Sequence, residues 1–224
     1  MAEFEIPRFD DPLPIDRVIF AIRLVDSFTG GTVRGPVEAR IKALGVRARR
    51  NLTGLLVFVN LDTRPTYDVQ IEARAAGFFD VDISVPRPAD DASDAQRLQP
   101  VQLQPLPTAP FTHETTLVRG VVVRAGAAIA DVRIEAVEQG LVDPTVFRSR
   151  SDTRGAFVLP LRLAPSNASP DSQPSAAFVF TFKADGLPDR QLPATVADGT
   201  AYRFGVPVEL RDPVVSPLLL PVGL

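Results

Sequence analysis

His113 is the only histidine and the chain has no cysteine, so any Ser-His-Asp relay would have to run through that one imidazole. It stands between Thr112 and Glu114 in a proline-rich connector. A general base needs a fixed rotamer and a shielded site, whereas a connector histidine is solvated, so His113 is expected to be non-catalytic. The same composition excludes thiolate zinc sites, cysteine nucleophiles and multi-histidine metal centres. Asp90, Asp91 and Asp94 are close enough in sequence to offer oxygen ligands to calcium, yet the segment lacks the D-x-D-x-D-G order and the distal Glu of an EF-hand loop. A solvated acidic loop is the expectation, with calcium as the minority reading. No pair of carboxylates stands out for glycoside hydrolysis, and no residue is expected to be catalytic, to bind a cofactor or to hold a metal.

Arginine supplies the remaining candidates. Arg47, Arg49 and Arg50 form one small basic group and Arg148, Arg150 and Arg154 another, with alternate spacing placing Arg148 and Arg150 on one strand face. A solvated outer face is the expected role; the functional alternative is an acidic protein surface, because a guanidinium fork pairs well with carboxylates. Across all 224 residues, 24 basic and 27 acidic side chains give a net charge of -3, the wrong sign for neutralising many phosphates. Nucleic acid is therefore not an expected partner. The N-terminus carries Glu3, Glu5, Asp10 and Asp11 where an export signal would be basic and then apolar, and the apolar runs are far short of the roughly 20 residues needed to span a bilayer. A cytoplasmic chain with no signal peptide and no membrane span is expected.

The elements that must position these groups are strands. Hydrophobic residues make up 45% of the chain, enough for a core, while 22 prolines and 14 glycines cut it into short segments. Between the breaks, apolar residues alternate with polar ones, the period of a half-buried strand. Val37, Ala39 and Ile41 alternate this way, as do Val69, Ile71 and Ala73, and Phe79, Val81, Ile83 and Val85. With Val18 to Val25, Arg47 to Asn51, Leu55 to Leu61 and Val101 to Leu106, the first half offers about seven strands, the number of a β-sandwich. Leu117 to Val123, Val132 to Val137, Phe157 to Leu161, Phe178 to Phe182 and Tyr202 to Val208 repeat the pattern, again pointing to about seven. Thr53-Gly54 before one strand matches Thr153-Arg154-Gly155 before another, an offset near one hundred residues that predicts a tandem duplication. Pro105, Pro107 and Pro110 mark a semi-rigid connector. The expected organisation is an N-terminal arm (1–16), a first sandwich (17–107), a second (108–213) and an apolar tail (214–224), all-β throughout.

Residues 119–161 resemble the carboxypeptidase regulatory-like domain, a transthyretin-like sandwich. The resemblance rests on Gly120-Val-Val-Val, the Ala125-Gly126 turn, Ala130-Asp-Val-Arg-Ile-Glu-Ala-Val and above all Ser151-Asp-Thr-Arg-Gly-Ala-Phe-Val-Leu. The first half keeps Gly35-Pro-Val-Glu-Ala-Arg-Ile and Thr53-Gly54 as a degenerate copy. The expected fold is thus two tandem seven-stranded, Ig-like or transthyretin-like sandwiches. In the last motif, Asp152 is expected to cap the turn, Gly155 to take a positive φ and Phe157 to turn inward. Such a fold implies no single activity.

The ends complete the pattern. Residues 1–16 carry Pro7, Pro12 and Pro14 among Phe4, Ile6, Phe9, Leu13 and Ile15, and Val214 to Leu224 has no charged side chain. Without clear strand alternation they suit a sheet poorly, so they are expected to dock, on their own sandwich or on a partner. Phe4, Phe9, Leu218, Leu219 and Leu220 are the candidate partner-binding anchors. Together these features predict a non-enzymatic structural or adaptor subunit that contacts other protein subunits or copies of itself. A phage-tail-like contractile injection particle is the specific assembly expected. The alternative, a glycan-binding or adhesion module, calls for exposed Trp or Tyr; the chain has no Trp and only Tyr67 and Tyr202.

Overall fold

In a computed structural model, residues 17–163, 173–210 and 218–222 are described. About half of them are in strands, and their regular structure is almost all β. The first half forms β1 (Val18–Asp26), β2 (Glu38–Ile41), β3 (Arg49–Arg50), β4 (Leu56–Val59), β5 (Thr66–Glu72), β6 (Val81–Pro86) and β7 (Leu98–Leu103). A one-turn helix, α1 (Asp94–Arg97), precedes β7. The second half forms β8 (Thr116–Arg124), β9 (Ala127–Ala128), β10 (Arg133–Glu138), β11 (Val146–Arg150), β12 (Ala156–Leu161), β13 (Ser175–Lys183), β14 (Arg190–Ala197), β15 (Ala201–Phe204), β16 (Val208–Glu209) and β17 (Leu219–Pro221).

Period-two alternation decides which face of each strand turns inward. Tyr67, Val69 and Ile71 of β5 are buried while Thr66, Asp68 and Glu72 face water, and β13 buries Phe178, Phe180 and Phe182 in the same manner. In the first half, a sheet ordered β3-β4-β1-β7 faces one ordered β2-β5-β6, and both contribute to one core that includes Phe20, Ile22, Leu24, Phe58, Tyr67 and Ile71. In the second, a sheet ordered β11-β10-β13-β14 faces one whose path runs β12-β8-β15-β17, with β9 and β16 attached through β8; a separate core holds Phe157, Phe178, Phe180, Phe182 and Phe204. Each half therefore has its own apolar interior, at about 1.5 to 3 kcal/mol for each large side chain fully buried.

The halves share a connectivity. β1 is antiparallel to β4 and parallel to β7, and β8 is antiparallel to β12 and parallel to β15 and β16. β5 lies between β2 and β6, as β13 lies between β10 and β14.

Two strands of the second half have weaker sequence signals. β11, Val-Phe-Arg-Ser-Arg, shows only its arginine spacing, and β14 contains Pro193, which is tolerated because β14 is the last strand of its sheet. The C-terminal tail departs from expectation. Residues expected to suit a sheet poorly form β17, antiparallel to β15. Leu218 accepts a bond from Gly205 through its carbonyl and the Val222 amide donates to Ala201. That register leaves Pro221, which lacks an N–H, on the outward side of an edge strand, where none is needed.

Candidate protein-interaction site

The turn before β12 is built as its residue types require. Asp152 Oδ1 accepts the amides of Arg154 and Ala156 at 2.8 and 2.9 Å, and Gly155 holds a φ of 71°, where a Cβ would collide with the Val122 carbonyl oxygen. Phe157 follows, 1% exposed. The turn before β4 repeats this: Asn51 Oδ1 accepts the amides of Thr53 and Leu55 at 3.1 and 2.8 Å, and Gly54 has a φ of 87°. Gly120 in β8 completes the site, since a Cβ there would lie 2.7 Å from the Phe157 ring. Its role as floor for that ring carries no sequence signal beyond an apolar strand interrupted by glycine.

Three arginines of the second half and its approach lie over aromatic rings. Arg150 stacks on Phe79 at 4.3 Å, Arg162 on Phe28 at 4.9 Å and Arg119 over Phe111 at 5.8 Å. Phe28 and Phe111 meet edge to face at 6.4 Å. Hydrogen bonds tie the same seam: Arg150 donates to the Asp80 carbonyl and Arg119 donates to the Pro107 carbonyl at 2.6 Å. Burial pushes the Arg119 and Arg150 guanidinium pKa values down; at Arg150 the charges of Asp131 and Asp80 counter it, and Arg74 adds to it. Both stay charged, as guanidinium does in proteins. Asp80 is pushed up by burial, but the Ala73 amide and the Arg74 side chain and amide outweigh that and hold its carboxyl below the usual range.

The connector is pinned on both sides. The Phe79 amide donates to Gln104, the Leu106 amide donates to Gly77, and Phe78 bridges Pro105. Leu117 and Val158, on the opposite face of their sheet from the core, are 6% and 0% exposed. They flank the Arg119 that holds the connector.

Five of the six arginines in the basic groups are exposed, as a solvated outer face requires, and Arg150 is the exception. Arg148 pairs with Glu135 at 3.3 Å, Arg50 donates to the carbonyls of Val33 and Gly35, and the surface Arg150 meets belongs to the first half of its own chain. Arg47 does sit exposed, 3.5 Å from Glu38. In the acidic loop, Asp90 lies 2.9 Å from Arg17 and 3.2 Å from Arg87, whose hydrogen bond and charges hold its carboxyl low. Arg97, which carries no signal in the sequence, organises that loop: its guanidinium reaches the carbonyls of Val18, Ile19, Ala89, Asp90 and Ala92. Among the described residues no three His, Cys, Asp or Glu converge on a metal-sized site. His113 is exposed, in a turn whose Thr115 amide donates to Thr112.

Of the candidate anchors, Phe4 and Phe9 lie outside the described residues. Leu219 packs on the second core, whereas Leu218 and Leu220 are 74% and 50% exposed. Exposed Val222 extends the patch, as does Val206, next to the Gly205 whose amide bonds Leu218. A separate cleft of about 640 Å³ opens where the halves meet, between Gln102, Gln104 and Phe28 on one side and Thr145, Phe147 and Arg162 on the other.

No family model and no curated protein matches the sequence. Among solved structures, the chain is similar to the Bacillus anthracis TIE protein at 11% identity and a TM-score of 0.30, covering 86% of this chain and 34% of that one. It is similar to a streptococcal ancillary pilin at 13% identity and 0.24, covering 91% and 58%. It is also similar to a leucine-rich repeat protein from Bacteroides thetaiotaomicron at 12% and 0.21, covering 88% and 27%. The chain thus spans less than two thirds of each of these proteins. By its own geometry it is an all-β protein, and among the described residues no helix is long and apolar enough to cross a membrane.

Proposed function

We propose that the chain is a tandem of two β-sandwiches of the transthyretin-like kind, each of seven principal strands with the short β9, β16 and β17 added to the second, acting without catalysis as a structural or adaptor subunit of a multi-protein assembly. A phage-tail-like contractile injection particle, assembled in the cytoplasm, is the assembly class we name. The observation that carries the reading is the row of aliphatic side chains on and beside β17, Leu218, Leu220, Val222 and Val206, exposed on the flank of a folded unit. Aliphatic clusters of this kind mark protein contacts, and a few buried anchors carry most of the energy of such contacts. The arginine seam supports it, since a subunit that joins neighbours must hold its halves at a set angle. Both tyrosines are buried, Tyr67 at 1% and Tyr202 at 9% exposure, so neither serves as a glycan platform.

The test is a Leu218→Asp/Leu220→Asp double variant expressed in the native host. Loss of copurifying subunits with an unchanged melting temperature is the expected outcome; retention of the assembly would overturn the adaptor role for this edge.

A further inference from the structure

The sheet β3-β4-β1-β7 of the first half is apolar on both faces. Phe20, Ile22 and Phe58 point into the core, and the alternate positions of the same strands point away from it. One outward row runs Arg49 of β3, Val57 of β4, Ala21 of β1 and Leu98 of β7. Arg23 and Val25 continue that face beside Pro100 and Gln102, and Val59 extends it along β4. A solvated outer face would be polar at these positions, yet most are apolar, and their charges are two arginines with no acid. The second half shows how such a face is used. There Val158 lies three residues after the turn glycine and opposite Arg119, as Val57 lies three after Gly54 and opposite Ala21. The connector covers that face: Arg119 donates to the Pro107 carbonyl and lies over the Phe111 ring, and Val158 is fully buried although it faces away from the core.

We propose that residues 1–16, which lie outside the described residues, dock across this outward face of the first sandwich as the connector docks across that of the second. Pro107 and Phe111 stand twelve and eight residues ahead of Arg119, and the same distances ahead of Ala21 are Phe9 and Leu13. These two supply apolar anchors for Val57, Val59, Ala21 and Leu98. The prolines repeat as well, Pro12-Leu13-Pro14 in the arm and Pro105-Leu106-Pro107 in the connector; they hold a chain extended and remove N–H groups that would need partners. Charge agrees with the apolar match, since Glu3, Glu5, Asp10, Asp11 and Asp16, set against a single Arg8, meet Arg23 and Arg49 on the face. The point of entry is right too. The Arg17 amide donates to Asn60 Oδ1 at 2.8 Å and the Asn60 amide donates to the Arg17 carbonyl at 3.0 Å, so the arm joins the fold one residue beyond Val59, at the border of the face. Extended at about 3.3 Å per residue, the arm reaches up to about 50 Å, against about 15 Å from first to last strand of a four-stranded sheet. Phe9 is then an anchor within the chain and not for a partner, and the inference stands apart from the adaptor reading.

Thiol labelling tests this, because the chain has no cysteine of its own. In the purified 224-residue chain carrying Val57→Cys, reaction with iodoacetamide should be at least about tenfold slower than after removal of residues 1–16, the ratio expected when the arm is docked about nine-tenths of the time. Phe9→Asp/Leu13→Asp in the full chain should release the same protection and Arg23→Glu/Arg49→Glu part of it, with circular dichroism unchanged in each. Thr195→Cys, on β14 of the second sandwich, should label at the same rate with and without the arm, and the protection of Val57→Cys should not vary with protein concentration. Equal labelling of Val57→Cys with and without residues 1–16, or insensitivity to either double substitution, would overturn the proposal. Protection lost on dilution would overturn it as well, giving the face to the arm of a second copy.

Discussion

At the scale of single residues, position counts for more than type. Of the six arginines in the two basic groups, Arg150 is half-buried against Phe79 and Arg47 is exposed, though nothing in their local sequence separates them. Gly155 and Phe157 carry sharp expectations. Gly155→Val should cost at least about 1 to 3 kcal/mol through its positive φ, with the Val122 clash in addition. Phe157→Ala should cost about 3 to 5 kcal/mol as a core truncation. Urea titration of both variants checks the pair, and two neutral results would remove the turn from the fold's supports. Glu135 gives a pH dependence. Its bond from Lys183 Nζ at 2.7 Å lowers its pKa; burial opposes this, and Arg148 adds to the lowering. A carboxylate held low in the folded state stabilises above its unfolded value, about 4.3, and that contribution fades as pH falls through the folded value. Stability of the wild type should therefore drop below about pH 4.3 more than that of Glu135→Gln, as read from melting temperature against pH.

At the scale of elements, β17 sets two properties apart. Removing residues 218–224 takes away the pairing with β15 and the packing of Leu219, so the melting temperature should fall by a few degrees, at about 2 to 4 °C for each kcal/mol lost. Leu218→Asp/Leu220→Asp alters only outward side chains and should leave that temperature in place, as differential scanning calorimetry would show. Strands such as β2 and β5 were legible because each buries one face against one core, which writes period two directly into Val37-Ala39-Ile41 or Val69-Ile71-Ala73. β12 was harder to read in detail: Val158 and Leu159 are both fully buried, because the sheet carries the core on one face and the connector's contacts on the other. β17 was illegible as a strand since three residues with a proline have no period to show. The seam was invisible as well, because its Arg–Phe partners lie far apart in sequence and only the folded junction brings Phe79 to Arg150.

At the scale of the whole molecule, two independent cores are joined through the Arg–Phe stacks and the pinned connector. Fragments 1–107 and 108–224 each keep a complete core and should fold alone, giving β-type circular dichroism and a cooperative melt. In the intact chain the seam couples them. Cation–π contacts are worth about 0.5 to 2 kcal/mol each depending on desolvation, so Arg150→Ala with Phe79→Ala should weaken the coupling enough to separate one calorimetric transition into two. A single unchanged transition in that variant would place the coupling elsewhere in the junction.

The parallel pairing of first and last strands has a mechanical consequence. Within the first half the chain enters at Val18 and leaves after Leu103, and β1 and β7 run side by side over six aligned positions, Ala21 to Asp26 against Leu98 to Leu103. Tension applied through the two ends pulls these neighbours past each other along their length, loading every rung of the ladder at once instead of peeling them open one at a time. The second half repeats the parallel pairing with β8 against β15 and β16, before the chain turns back into the antiparallel β17. A sandwich threaded like the first half resists stretching end to end far better than sideways. Stretched in a force spectrometer between residues 17 and 107, it should yield at higher force than when tethered across the hairpin of β5 and β6.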